Sequence, residues 1–189
     1  MFAQKAYFLK TRNIVGDDVT AAVLEFFQVN NLLPAFNSTL VALVPKKLNS
    51  SCMKDFRPIS CCSVIYKCIT RILIDRLTSF LPKLNVGNQS AFIHGRNISH
   101  NILLAQEMVR GYGRKSLSPR CAMKIDLQKA YNFLNWDFIF ATLEALGFPL
   151  LFIRWIGSCV TQPRYSISFN GGLVGYFKDA KGTRQGDPL

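Results

Sequence analysis

The sequence predicts an α+β fold, and three observations carry that expectation. Residues 165–169 and 173–177 alternate in polarity around Asn170-Gly171-Gly172, the composition of a tight hairpin turn. Residues 39–44 and 56–60 are two further β-rich runs on either side of a lysine-containing loop. The remaining long segments keep helical periodicity, without the strand–helix alternation of a doubly wound sheet. Together they imply an antiparallel sheet with packed helices.

Taken in order, Gly16-Asp17-Asp18 is expected to cap a first helix with Val19, Ala22, Val23, Phe26 and Phe27 on one face. Residues 34–38 read as a loop and 39–44 as a strand ending at Pro45. A polar loop over 46–54 then leads to a second strand, so the pair forms a hairpin with a basic tip. Ser63 starts a helix in which Ile65, Ile69, Ile72, Leu73, Leu77 and Leu81 keep the helical period. Residues 86–96 are turn-rich, 98–109 read as a helix ending near Gly111, and 113–119 form a basic link. Residues 121–127 read as a strand. Asn135 is placed to cap a helix over 136–146 stopped by Gly147, and Pro149 to open another reaching Thr161.

Composition narrows the class. Hydrophobic residues make up 49% and charged residues 18% of the 189 positions, values of a globular chain able to bury a core. Lys and Arg outnumber Asp and Glu by 23 to 11, and the net charge of +12 favours a polyanionic partner. The six cysteines show no Cys-x-x-Cys pair and no histidine partner at zinc-finger spacing, and most sit among apolar neighbours as small buried hydrophobes do. No signal-peptide pattern and no long apolar run is present. Reduced thiols in an intracellular protein, cytoplasmic or nuclear and without a membrane span, are therefore expected.

Several residue groups can carry chemistry. Asp126 is the one acidic side chain in its apolar stretch, and a strand holds such a carboxylate with little positional freedom. The turn Gly182-Thr183-Arg184-Gln185-Gly186-Asp187-Pro188 brackets an amide side chain with glycines that permit close backbone approach to a ligand. Lys46, Lys47 and Arg57 cluster at the hairpin, where arginine offers bidentate geometry to phosphate. Arg96 beside Gly95 is a phosphate-contact candidate, whereas His94 and His100 lack a metal-ligand spacing.

Four blocks then occur in a telling order. They are Leu43-Val44-Pro45-Lys46-Lys47 with Phe56-Arg57-Pro58-Ile59-Ser60, the run from Gln89 to Arg96, the run from Met123 to Tyr131, and the run from Lys181 to Leu189. This arrangement resembles the reverse transcriptases of non-LTR (LINE-type) retrotransposons, plant elements among them. The resemblance implies a right-hand polymerase, with fingers and the start of the palm over 1–120 and a truncated palm over 121–189. It implies RNA-directed DNA synthesis on an RNA template with a DNA primer, dNTP substrates, and Mg²⁺, with Mn²⁺ as a substitute.

By the same resemblance Asp126 is a catalytic metal ligand, helped by the backbone carbonyl of Leu127, and Tyr131 is the gate that excludes a 2′-hydroxyl. Lys46 or Lys47 acts with Arg57 on the triphosphate, Gln185 and Gly186 contact the nucleotide and templating pair, and Gln89 and Arg96 line the template–primer path. Asn132 departs from the family, which commonly has aspartate there; the amide keeps the shape and loses the charge. The family's aspartate pair is expected beyond Leu189, so residues 1–189 alone are expected to be inactive as a polymerase. The alternative is a non-catalytic basic remnant that still binds nucleic acid.

Overall fold

The computed structural model describes residues 2–84, 89–90, 95–110, 112, 121, 123–125 and 130–189. These fall into two compact units, one of residues 1–74 with 129–189 and one of residues 75–128.

The first unit begins with α1 (Phe2–Val29), a single helix that runs through Gly16-Asp17-Asp18. The expected cap is therefore interior. One glycine in a helix costs only about 1 kcal/mol, and nothing else in the preceding stretch breaks the pattern. The expected apolar stripe is correct: Val23 and Phe26 are buried, and Val19, Ala22 and Phe27 are partly so. Residues 34–37, expected as loop, form a short helix α2 (Pro34–Asn37), with Pro34 at its start, where proline's missing N–H costs nothing.

Among the described residues the strands β1 (Ser38–Pro45), β2 (Phe56–Cys61), β3 (Arg164–Phe169) and β4 (Gly172–Lys178) form one four-stranded sheet ordered β2-β1-β3-β4. Both expected hairpins are present and antiparallel. The β3–β4 turn sits at Asn170 and Gly171, with φ of 48° and 78°. The sheet is nevertheless mixed rather than wholly antiparallel, because β1 and β3 pair in parallel from Ser38↔Arg164 to Ala42↔Ser168. Each enters from the same end, β1 out of α2 and β3 out of the helix ending at Thr161, so their common direction is set by the helices that feed them.

α3 (Val64–Leu84) contributes its first half to this unit. Ser63 caps it, accepting from Tyr66 N at 3.1 Å while donating to Phe36 O at 2.7 Å. Its deepest side chains are Tyr66, Ile69, Thr70 and Leu73, a face wider than the aliphatic stripe suggests. After the one-turn α5 (Ala130–Phe133), α6 (Trp136–Ala145) starts as expected, with Asn135 Oδ1 accepting from Asp137 N at 2.9 Å. α7 (Leu150–Thr161) opens after Pro149 and buries Phe152, Ile156, Cys159 and Val160. An edge-to-face contact of 5.0 Å between Phe27 and Trp155 ties α1 to α7.

In the second unit α4 (Ser99–Val109) matches the expected helix over 98–109. The expected strand over 121–127 is not formed where it is described: Cys121, Met123, Lys124 and Ile125 belong to no strand, and Met123 and Ile125 are 80% and 77% exposed. Strand propensity is realised only when N–H and C=O groups find a neighbouring ladder, and none forms with this segment among the described residues. Asp126, Leu127, His94, Gly111 and the link over 113–119 lie outside the described residues, as does most of the turn-rich stretch over 86–96. No helix among the described residues is long and apolar enough to cross a membrane.

Candidate functional site

The run from Lys181 to Leu189 docks as a strap between two parts of the first unit. On one side Gly182 N donates to Leu134 O (2.7 Å), Thr183 N to Tyr131 O (2.6 Å) and Trp136 Nε1 to Gly182 O (2.7 Å). Lys181 Nζ lies 4.7 Å from the centre of the Phe133 ring. On the other side Ser60 N, on the outer edge of β2, donates to Gln185 O at 2.9 Å. Gly182 has φ +90°, and a Cβ there would stand 2.6 Å from Tyr131 O, so only glycine allows this approach.

Between the strap and one face of the sheet lies a cleft of about 370 Å³. Val41, Leu43, Pro58, Ile167 and Phe177 supply an apolar floor, and Asn132, Asp179, Lys181, Thr183 and Gln185 supply polar edges. A flat, partly apolar ligand with hydrogen-bonding edges suits such a lining. Strand alternation puts Arg57, opposite Val44, on the face of the sheet away from Pro58 and Ser60.

Arg184, which lines the cleft, also belongs to a buried polar cluster. Arg184 is 4% exposed; Nη2 donates to Asn37 O (2.9 Å) and to Asn37 Oδ1, and Nη1 to Cys62 Sγ at 3.7 Å. Its Cζ lies 3.9 Å from the Tyr66 ring centre and 5.9 Å from that of Tyr165. Tyr66 hydroxyl donates to Cys159 O at 3.3 Å. Burial raises the pKa of Asp187 above the ordinary carboxylate value, opposed by the Tyr66 hydroxyl and the Arg184 charge. Asp179 is raised by burial as well, opposed by its bond to Tyr165. Burial pushes Cys159 up to about 12, which leaves it an inert neutral thiol. All six cysteines are free, but Cys52 and Cys121 are exposed, so the expected burial holds best for Cys62 and Cys159.

These two carboxyls have a consequence for pH. A carboxyl whose folded pKa exceeds its unfolded value binds its proton more tightly when folded. Its contribution to stability is then fully present below about pH 4 and is lost as pH rises through the folded pKa. Asp179→Asn with Asp187→Asn is expected to flatten the decline in stability above about pH 4, as read by urea unfolding across pH 4–7. An unchanged slope would rule out these carboxyls as its source.

The residues singled out from sequence are only partly brought together. Gln185 lines the cleft with Asn132, and Gly186 follows at φ +99°, against Ile59 and Ser60. Tyr131 lends its carbonyl to the strap while its side chain is 52% exposed. Lys46 Nζ donates to Lys54 O at 2.7 Å, and Lys47 Nζ pairs with Asp55 Oδ1 at 2.9 Å, lowering the Asp55 pKa. Both lysines are exposed at the hairpin tip, outside the cleft lining. Gln89 and Arg96 belong to the second unit, where Arg96 Nη1 donates to Gln89 O at 2.6 Å. Asp126 and Leu127 lie outside the described residues. The anchoring roles of Arg184, Asp187, Tyr66, Asn37 and Trp136 were not foreseen. Their only sequence signal was the presence of Arg184 and Asp187 within the strap's unusual string.

Residues 44–189 match the family described as reverse transcriptase (RNA-dependent DNA polymerase), and the chain belongs to that family. Among its relatives, the transposon TX1 uncharacterized 149 kDa protein of Xenopus laevis is 26% identical over 175 residues, covering 93% of this chain and 13% of that protein. The retrovirus-related Pol polyprotein from type-2 retrotransposable element R2DM of Drosophila melanogaster is 27% identical over 162 residues, covering 84% and 15%. The chain thus spans about a seventh of the length of these curated relatives. Both relatives belong to transposable elements, in keeping with the LINE-type resemblance.

Proposed function

We propose that this chain is the nucleotide-handling part of an RNA-directed DNA polymerase of a non-LTR retrotransposon, with fingers and the palm's beginning over 1–120 and palm over 121–189. The observation that carries the reading is the docking of Gly182 and Thr183 on the backbone of residues 131–134. It joins the block that follows Asp126 to the strap bearing Gln185, at the wall of one cleft. In this reading Gln185 and Gly186 meet the incoming nucleotide and templating pair, and Tyr131 guards the sugar. Lys46 or Lys47 with Arg57 is the assigned triphosphate clamp, although Arg57 lies on the sheet face away from the cleft, and Gln89 and Arg96 follow the template–primer path. The exposure of Lys46, Lys47 and Arg57 fits a role toward a large polyanion.

The divalent metal that the family implies finds no site among the described residues. No three His, Cys, Asp or Glu converge there. Asp179, which lines the cleft, is engaged with Tyr165, and burial raises its pKa above the ordinary carboxylate value. The ligands assigned by resemblance, Asp126 and the carbonyl of Leu127, lie outside the described residues.

The test uses the 189-residue chain with primed RNA, dNTPs and Mg²⁺. Negligible primer extension is expected, since one assigned carboxylate offsets little of the repulsion between two dications. Filter binding of the primed RNA is expected to weaken steeply between low and moderate salt. A fluorescent dNTP is expected to bind wild-type protein and to bind Gln185→Ala more weakly. Processive extension abolished in Asp126→Ala would refute the inactivity, and salt-independent RNA binding would refute electrostatic recognition. RNA binding without dNTP affinity would leave the basic, non-catalytic remnant, a reading that the +12 charge by itself favours.

A further inference from the structure

We infer that Arg184 is a positioning residue, whose buried guanidinium fixes the backbone that presents Gln185 to the cleft. The inference rests on the reading of Gln185 as a nucleotide contact. Arginine is seldom buried unless it is paired, yet this one is 4% exposed.

Its bonds go to Asn37 at the end of α2 and to Cys62 between β2 and α3, while its Cζ lies 3.9 Å from the ring centre of Tyr66 of α3 and 5.9 Å from that of Tyr165 of β3. Four separate segments therefore converge on one side chain. Both the planar fork and the stacking faces are features that lysine lacks. Arg184 Nε finds no hydrogen-bond partner among the described residues. The next residue is tied to the sheet edge, because Gln185 O accepts from Ser60 N at 2.9 Å, and Gln185 lines the cleft.

Hydrogen exchange on the full 189-residue chain tests this directly. In Arg184→Lys and in Asn37→Ala the Ser60 and Thr183 amides are expected to exchange roughly tenfold faster, while α7 keeps its protection. Unchanged protection at Ser60 and Thr183 in both variants would overturn the inference. So would loss of protection throughout α7 in both, which would make Arg184 a general core residue.

A titration with fluorescent dNTP separates positioning from mere stability. Arg184→Lys and Gln185→Ala are each expected to weaken binding roughly tenfold, with the double variant no weaker than Gln185→Ala alone. Additive losses would show that Arg184 acts independently of Gln185. If wild-type protein binds no dNTP, the nucleotide reading fails, and the exchange experiment still decides whether Arg184 holds the strap.

Discussion

Replacing Gly182 by alanine is expected to cost about 3 kcal/mol of folding stability and to free the strap from the cleft wall. Its φ of +90° strains any residue with a Cβ, and that Cβ would meet Tyr131 O at 2.6 Å and Asn132 O at 3.0 Å. Backbone oxygens cannot move aside by a change of rotamer. Residue 182 and residues 131–132 would have to part, which loosens the bonds from Gly182 N to Leu134 O and from Thr183 N to Tyr131 O. Each bond contributes about 1 kcal/mol net, in addition to the backbone strain. Gly171→Ala is the control. It has φ +78° but nothing within 4 Å of the added atom, so only the strain of about 1 kcal/mol applies. Equal losses in the two variants, measured by urea unfolding, would sink the docking argument.

Tyr66→Ala is expected to cost about 3–5 kcal/mol, a large share of the stability of a domain this size. Tyr66 is the largest of the fully buried side chains among the described residues, and its removal leaves a cavity beside the Arg184 guanidinium. Tyr66→Phe keeps the ring and loses the hydroxyl that serves Cys159 O and Asp187, a loss of about 1–2 kcal/mol. Chemical denaturation of both variants distinguishes the contributions. If the alanine variant were no less stable than the phenylalanine variant, the ring would not be what supports the Arg184 cluster.

Legibility followed the range of the interactions. The Asn135 cap, the Asn170-Gly171 turn and the helical stripes of α1 and α3 depend on neighbours within a few positions, and each appeared in the expected place. The α1 start was misplaced because capping residues signal a terminus only if the preceding chain has no reason to be helical. Strand propensity over 121–127 carries no information about whether a partner is present, and the described positions 121 and 123–125 belong to no strand.

The candidate site divides in the same way. Gln185 and Gly186 could be singled out because an uncommon string of residues carries its own specificity. Strand alternation puts Arg57 on the sheet face opposite Pro58 and Ser60, but that this face is the one away from the cleft depends on where the strap docks, and the partners of Lys46 and Lys47 depend on how the hairpin tip closes.

Periodicity and turn chemistry pointed to mixed helix and sheet, and the resemblance carried by four motif blocks pointed to the reverse-transcriptase family and its most specific turn. Pairing of β1 with β3 in parallel, and the gathering of Asn37, Cys62, Tyr66 and Tyr165 around Arg184, were decided only in the folded chain. These contacts join residues 122 to 147 positions apart for Cys62 and Asn37, where closing the loop costs entropy that only the collective burial of a core can offset.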